Sequence, residues 1–338
     1  VVLITGAGGS IGGELSTQIA KLGPKKLILL DISEHALYEI ERKISSENIN
    51  CEIIVSLGSV CDTQLVEFIH SKHEITIIFH AAAYKHVPMV EKNIVQTINN
   101  NVLGTLGLVE FCEKFRIKKF ILISTDKAVR PTNVMGATKR LCEMILQGKS
   151  ALHNASNRTI YSMVRFGNVL GSSGSVVPLF REQIKLGGPI SLTSKEITRY
   201  FMSIPEAAEL VIQSSALAGG GDVFVLDMGE PIKIFDLAQQ MINLSGFSIK
   251  NSSNPLGDIE IKITGLRPGE KLYEELLIGD NVKPTIHGKI MKAQETFMSW
   301  EELEKVIRNL EIAAAKGDAS NVVGILSGAV EGFEHKTH

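Results

Sequence analysis

Short apolar runs alternate with amphipathic stretches through the first half of this chain, and a glycine turn joins the first pair. Val1–Thr5, Lys26–Asp31, Glu52–Val55, Thr76–His80 and Phe120–Thr125 are too continuously apolar to have one face in water, so they read as buried parallel strands. Leu15–Leu22, Glu34–Ile44 and Leu65–His70 between them carry helical periodicity. This order predicts an α/β fold with a Rossmann-type, doubly wound parallel sheet.

The turn itself reads Thr5-Gly6-Ala7-Gly8-Gly9-Ser10-Ile11-Gly12. Gly6, Gly9 and Gly12 are spaced so that the backbone can turn tightly, approach a pyrophosphate and pack a helix close to the sheet. Gly6, Gly9, Ser10, Ile11 and Gly12 are therefore candidate cofactor contacts. Asp31 closes the second strand, where its carboxylate accepts from ribose hydroxyls and repels a 2′-phosphate. No Arg follows at Ile32 or Ser33. The pattern favours NAD over NADP. A turn that binds nothing, and a helix N-cap at Asp31, are the plainer readings. Ala81, Ala82 and Ala83 after the fourth strand offer small side chains where a dinucleotide passes, or simply pack.

Composition narrows the partners. The 338 residues carry a net charge of −2, which gives no field for nucleic acid or an anionic membrane surface. An anionic ligand needs local cations. Cys51, Cys61, Cys112 and Cys142 are scattered, so reduced thiols in a cytoplasmic compartment are expected. No cluster has metal-ligand spacing, no signal peptide is evident, and no apolar run reaches about 18 residues. The chain opens inside a strand without an initiator Met, which reads as a piece of a longer protein.

Ile160–Arg165 is a further strand, and residues 1–165 are expected to form the NAD-binding part. From Phe166 the elements shorten and Pro and Gly become frequent. Residues 166–338 are expected to form a smaller α/β substrate-binding part, with some segments returning to the main sheet. Ser203-Ile204-Pro205-Glu206 fits a capping box for a helix to about Ala216. Val223–Asp227 reads as a late strand, Ile234–Leu244 and Trp300–Lys316 as helices, and Gly246–Asn254 as a polar turn. Asn281–His338 carries no motif.

Ser124-Thr125-Asp126-Lys127 closes the fifth strand, at the end where α/β sheets bind ligands. A carboxylate beside an ammonium supports opposite proton roles if burial moves both toward neutrality. A loop carboxylate and a solvated lysine are the plainer readings.

Several motifs together carry a resemblance. They are Ala81–Glu91 (AAAYKHVPMVE), Ser124–Lys127 (STDK), Met135-x-x-x-Lys139, Arg165–Pro178 (RFGNVLGSSGSVVP), Thr198–Ser203 (TRYFMS) and Leu266–Lys271 (LRPGEK). From Val1 to about Ile278 the chain resembles the UDP-N-acetylglucosamine 4,6-dehydratases, which are extended short-chain dehydrogenases/reductases. Met135 stands where that superfamily usually has its tyrosine base, and a thioether has no proton to transfer. This is similar to the larger, membrane-anchored branch that serves bacillosamine, protein-glycosylation and capsular or O-antigen pathways. The resemblance implies a catalytic part held at the cytoplasmic side of the inner membrane by an N-terminal region.

The resemblance further implies a redox-neutral cycle on UDP-N-acetylglucosamine with NAD. C4 is oxidised, water is lost across C5 and C6, and C6 is reduced. Asp126 is then the acid for the leaving C6 hydroxyl, Lys127 the C5 base, and Thr125 a partner of the 4-oxygen. Lys139 holds the nicotinamide ribose, and Met135 is a passive wall. The acceptor of the 4-hydroxyl proton stays open, with Asp126 acting directly or through water as first choice. On the substrate side the family pattern points to Arg199 and Arg267 at the diphosphate and to Glu270 at the uridine ribose. It also points to Asn168 and the Ser173–Val177 loop at a phosphate, and to Lys85 and His86 near the sugar. Helices near Val102–Lys114 and Thr138–Gln147 are the usual pairing surface, which implies at least a homodimer. A UDP-sugar 4-epimerase and a non-enzymatic NAD-binding regulator are the competing readings. The first needs no acid–base pair at C5 and C6, and the second rests on Met135 alone.

Overall fold

The computed structural model describes residues 1–47, 49–152, 159–275 and 282–335. Ile278, where the family resemblance ends, lies outside the described residues. Six parallel strands, β1 Val2–Thr5, β2 Lys26–Asp31, β3 Glu52–Leu57, β4 Ile77–His80, β5 Lys119–Ile123 and β6 Ile160–Arg165, form the heart of the main sheet. Their spatial order is β3-β2-β1-β4-β5-β6. The chain therefore reverses direction across the sheet between β1 and β4, which opens a crevice at the strand C-termini. Asp222–Leu226 adds in parallel beside β6, and Ile290–Ala293 and Val282–Pro284 follow antiparallel.

Strand alternation explains why both faces are apolar. Leu3, Ile28 and Leu30 point into one buried cluster, and Ile4, Leu27 and Leu29 into the other. The helices α1 Ser10–Lys21 and α2 Glu34–Ser45 bury Leu15, Ile19, Leu37 and Ile40 against the second face. The third helix, α3 Thr63–His73, places Val66 and Ile69 on the first.

Residues beyond 166 divide between two places. Ile190–Leu192, Ile259–Ile263 and Ile249–Lys250 make a separate three-stranded sheet. It is closed by Val176–Lys185 and Ile234–Leu244 over Phe180, Ile184, Ile234 and Ile242. Ile249–Lys250 thus turns part of the expected polar turn into a strand. The strand Asp222–Leu226 and the last two helices belong to the main sheet's layers.

Several local expectations are corrected. Ser203 does cap its helix, Ile204–Leu217, by accepting from the Glu206 N–H. The box stays half-made because the Glu206 carboxylate binds Lys289 instead. A full capping box forms at Ser299 and Glu302, starting Trp300–Ala315. The helix expected from Val102 begins as a π-helical turn, Ile98–Leu103, and becomes α-helical at Gly104–Phe115. The expected pairing segment Thr138–Gln147 lies within the helix Val134–Leu152, which packs against the last two helices of the same chain. Leu303, Ile307, Leu310, Val322 and Leu326 of Trp300–Ala315 and Ala319–Ala329 share its apolar cluster with Leu141 and Ile145.

Candidate active site

Gly6 has φ +67°, and a Cβ there would lie 2.6 Å from the Ala82 backbone nitrogen. A Cβ on Gly12 would overlap the Gly6 carbonyl oxygen. Only glycine fits either position, and Ala82 contributes backbone to the turn rather than a side chain to the cleft. After Gly9, α1 begins with no side-chain cap and no acidic residue in its first turn. Its first N–H groups carry the positive end of the helix dipole. Asp31 does not cap α2, because Ser33 does. It accepts instead from the Gly8 N–H at 2.8 Å and the Ser33 N–H at 2.9 Å. Lone pairs remain on both oxygens. This set of donors and acceptors fits a pyrophosphate at α1 and a ribose at Asp31.

A cleft of about 900 Å³ lies across the C-terminal ends of β1, β4, β5 and β6. The glycine turn, Ala81, Ala83, Lys85 and His86 line it, as do Thr125, Lys127, Met135 and Lys139. Asn168 and Ser173 complete the predicted residues found there. Gly174 stays bare because a Cβ would meet the His86 ring. Enclosure lowers the pKa of Lys85, and that of His86 with further help from the Lys85 charge.

The catalytic candidates sit in one short 3₁₀ turn, Asp126–Ala128, whose N-cap is Thr125. Gly136 lets the Met135 helix come against this turn, since a Cβ there would overlap the Lys127 carbonyl. The Thr125 hydroxyl donates to Asp126 Oδ1 at 2.9 Å. Lys127 Nζ donates to the same oxygen at 3.0 Å and to Asn168 Oδ1 at 3.3 Å. Asp126 is fully buried behind the two, and its Oδ2 has no partner among the described residues. Glu274, absent from the sequence reading, brings its Oε1 within 3.5 Å of Lys127 Nζ. Burial alone pulls the Lys127 pKa down, but Asp126 and Glu274 outweigh it and the net shift is upward. The resting site is an ion pair with Lys127 protonated.

Met135 and Lys139 lie one helical turn apart, so both face the cleft. Lys139 shifts the other way from Lys127. Burial dominates, Cys142 and Glu143 offset it only in part, and its pKa is lowered.

Several of the expected substrate residues are engaged within the chain. The buried Arg199 guanidinium donates to the carbonyls of Thr198, Lys271 and Leu272, so it clamps the 271–274 segment rather than facing the cleft. Glu270 accepts from the Thr193 hydroxyl and the Arg267 N–H, and so orders its own turn. The Ser173 N–H donates to Ser10 Oγ at 3.2 Å, tying the serine loop to α1. Val177 is the second residue of the helix Val176–Lys185, and Arg267 is exposed on its turn.

Behind the turn, Ser124 Oγ donates to Glu143 Oε1 at 2.6 Å. Arg165 donates to both Glu143 oxygens and to both oxygens of Glu295.

The profile of the polysaccharide biosynthesis protein family matches residues 2–295. The chain belongs to this family. It is 45% identical to the capsular polysaccharide biosynthesis protein CapD of Staphylococcus aureus, over 91% of this chain but 50% of CapD. It thus spans about half that relative's length. It is 32% identical to a UDP-glucose 4-epimerase of Rickettsia rickettsii, over 83% of this chain and 78% of the epimerase. Among solved structures, Pen from Bacillus thuringiensis superposes with a TM-score of 0.76 at 30% identity, covering 92% of this chain and 97% of Pen. The fold is that of the extended short-chain dehydrogenases/reductases. Among the described residues, no helix is long and apolar enough to cross a membrane, and no group of His, Cys, Asp and Glu side chains could hold a metal.

Proposed function

We propose that this chain is the catalytic part of an NAD-dependent UDP-N-acetylglucosamine 4,6-dehydratase that makes a 4-keto-6-deoxy sugar nucleotide for a surface polysaccharide or glycan. Attachment of the full-length protein at the cytoplasmic side of the inner membrane belongs to the same proposal. One observation carries it. Thr125, Asp126 and Lys127 are hydrogen-bonded to one another at the end of β5 beside the cleft. That is the acid–base pair that loss of water across C5 and C6 demands, and that a 4-epimerase does not use.

The dinucleotide is held by the N–H groups of α1, the Asp31 carboxylate and Lys139, and bound NAD supplies reversible two-electron chemistry at C4 and C6. Thr125 accepts a hydrogen bond from the 4-hydroxyl and passes its own proton along the 2.9 Å bond to Asp126. This relay gives the first proton a route without a tyrosine. Asp126 then carries the proton that the C6 hydroxyl needs to leave as water. Lys127 takes the C5 proton once it has shed its own. Lys85 and His86 lie near the sugar, and Asn168, Arg267 and the Val176–Lys185 helix start are the groups for the diphosphate.

Incubation with UDP-N-acetylglucosamine and NAD tests the reading. Loss of one water from the sugar nucleotide is expected. An unchanged mass with an inverted C4 points to epimerisation, which the Rickettsia relative favours. No product points to a regulator.

A further inference from the structure

Glu274 is a buried titratable group in contact with Lys127 that this mechanism leaves unused. It is 8% exposed, and it lies across Lys127 from Asp126. Lys127 Nζ is 3.0 Å from Asp126 Oδ1 and 3.5 Å from Glu274 Oε1. The second oxygen of each carboxylate is buried with no hydrogen-bond partner among the described residues. Arg199 also faces Glu274, Nε to Oε1 at 3.7 Å, and Glu270 faces Arg199 from its other side at 3.7 Å. Arg199 grips the carbonyls of Lys271 and Leu272, which holds Glu274 against Lys127.

The dehydratase reading, on which this inference rests, poses a proton problem. Lys127 starts as an ammonium and must become an amine before it can act as a base. Asp126 cannot take that proton, because it is already carrying the one from the 4-hydroxyl. We propose that Glu274 holds the Lys127 proton while Lys127 works as the base at C5, so that it acts through Lys127 and never touches the sugar.

The protons then balance. The 4-hydroxyl proton passes through Thr125 to Asp126. Lys127 gives one proton to Glu274. The Lys127 amine takes the C5 proton, and the C5–H electron pair becomes the C5–C6 double bond. The C6–O bond breaks with its pair on oxygen, and Asp126 protonates that oxygen to water through the Thr125 hydroxyl. Lys127 returns its proton to C5, and a bound dinucleotide would supply the two-electron chemistry that balances C4 against C6. Glu274 then returns its proton to Lys127. Each side chain ends as it began, and only water is lost.

The test uses the full chain with Glu274→Gln and Glu274→Asp, each checked for NAD binding. Reduced dinucleotide formed in one turnover reads C4 oxidation, and exchange of the C5 hydrogen with deuterated water reads the base. Glu274→Gln is expected to leave C4 oxidation largely unchanged and to slow C5 exchange by about a hundredfold at neutral pH. Exchange should recover as pH rises, because hydroxide then unloads Lys127. Glu274→Asp keeps a carboxylate and should restore most of the exchange. Equal slowing of both steps, or wild-type exchange and pH profile in Glu274→Gln, overturns the proposal. If Glu274→Gln fails to bind NAD, Glu274→Ala decides: a larger loss in exchange than in oxidation supports the role, and equal losses overturn it. Wild-type protein that reduces the dinucleotide without any C5 exchange contradicts the dehydratase reading instead.

Discussion

The Thr125 hydroxyl points its proton at Asp126 Oδ1 across 2.9 Å, in a turn whose carboxylate is otherwise sealed from the cleft. A wall residue therefore connects the cleft to a buried acid. In the proposed mechanism this arrangement does the work of the phenol that Met135 lacks. Thr125→Ser keeps the hydroxyl and should retain most activity. Thr125→Val removes the relay and should lower kcat by about a hundredfold with the sugar-nucleotide KM little changed. Steady-state kinetics of the two variants side by side check this.

Gly167 lies against the same carboxylate. A Cβ there would come 3.2 Å from Asp126 Oδ2 and 3.2 Å from the Tyr200 Cβ. Gly167→Ala should crowd the acid and reduce kcat by about tenfold, since small displacements of a reacting group are costly. NAD affinity should be unaffected because the glycine turn of β1 is elsewhere. Titration of NAD together with turnover separates the two effects.

Met135→Tyr is the informative reversal at the cleft wall. Met135 faces the cleft beside Lys139, so a phenol there has room, but in the proposed mechanism Thr125 and Asp126 already give the first proton its route. No sharp rise in turnover is expected. A large gain would mean that the Thr-Asp-Lys turn has not taken over the tyrosine's work.

The acid side of the stability curve has a named contributor. His80 is fully buried, with Nδ1 against Thr5 and Nε2 against Thr105. Burial, and then the Lys139 charge, lower its pKa to about 3. Thr105 already donates to the Asn101 carbonyl, so the His80 Nε2 is the donor to Thr105 and the ring is neutral. The folded pKa is below the unfolded value of about 6.5, so the unfolded chain binds the extra proton between the two. Stability is full above that unfolded value and falls as pH drops toward 3, by several kcal/mol at most. His80→Gln should flatten this dependence while lowering stability near neutrality. Thermal midpoints across that pH range measure it.

The Glu143–Arg165 pair should behave as a buried structural couple. Burial alone would raise the Glu143 carboxyl, but Arg165, Arg140 and Ser124 outweigh it and hold it below the usual range. Glu143→Gln leaves Arg165 with Glu295 as its remaining carboxylate and should cost about 1–3 kcal/mol. Denaturant midpoints check the size of the loss.

The sheet was legible because buried parallel strands are continuous apolar runs, and Lys26–Asp31 and Ile160–Arg165 begin and end where their residues suggest. The turn after β5 was legible because its residues are adjacent in the chain. Glu274 was not, since it reaches Lys127 only through the way Arg199 grips the carbonyls of Lys271 and Leu272. For the same reason a motif could place Arg199 in a substrate loop but not tell which way its guanidinium faces. Trp300–Lys316 reads as a helix while Ala319–Ala329 does not stand out, and what the two cover depends on long-range packing of Leu303 and Leu326.

In the proposed mechanism Asp126 receives the first proton and supplies the one that the leaving hydroxyl needs. Turnover of Asp126→Asn on UDP-N-acetylglucosamine, measured beside its NAD affinity, tests that claim most directly. The account predicts that turnover is abolished while NAD still binds as in the wild type. Near-normal turnover of Asp126→Asn would contradict it.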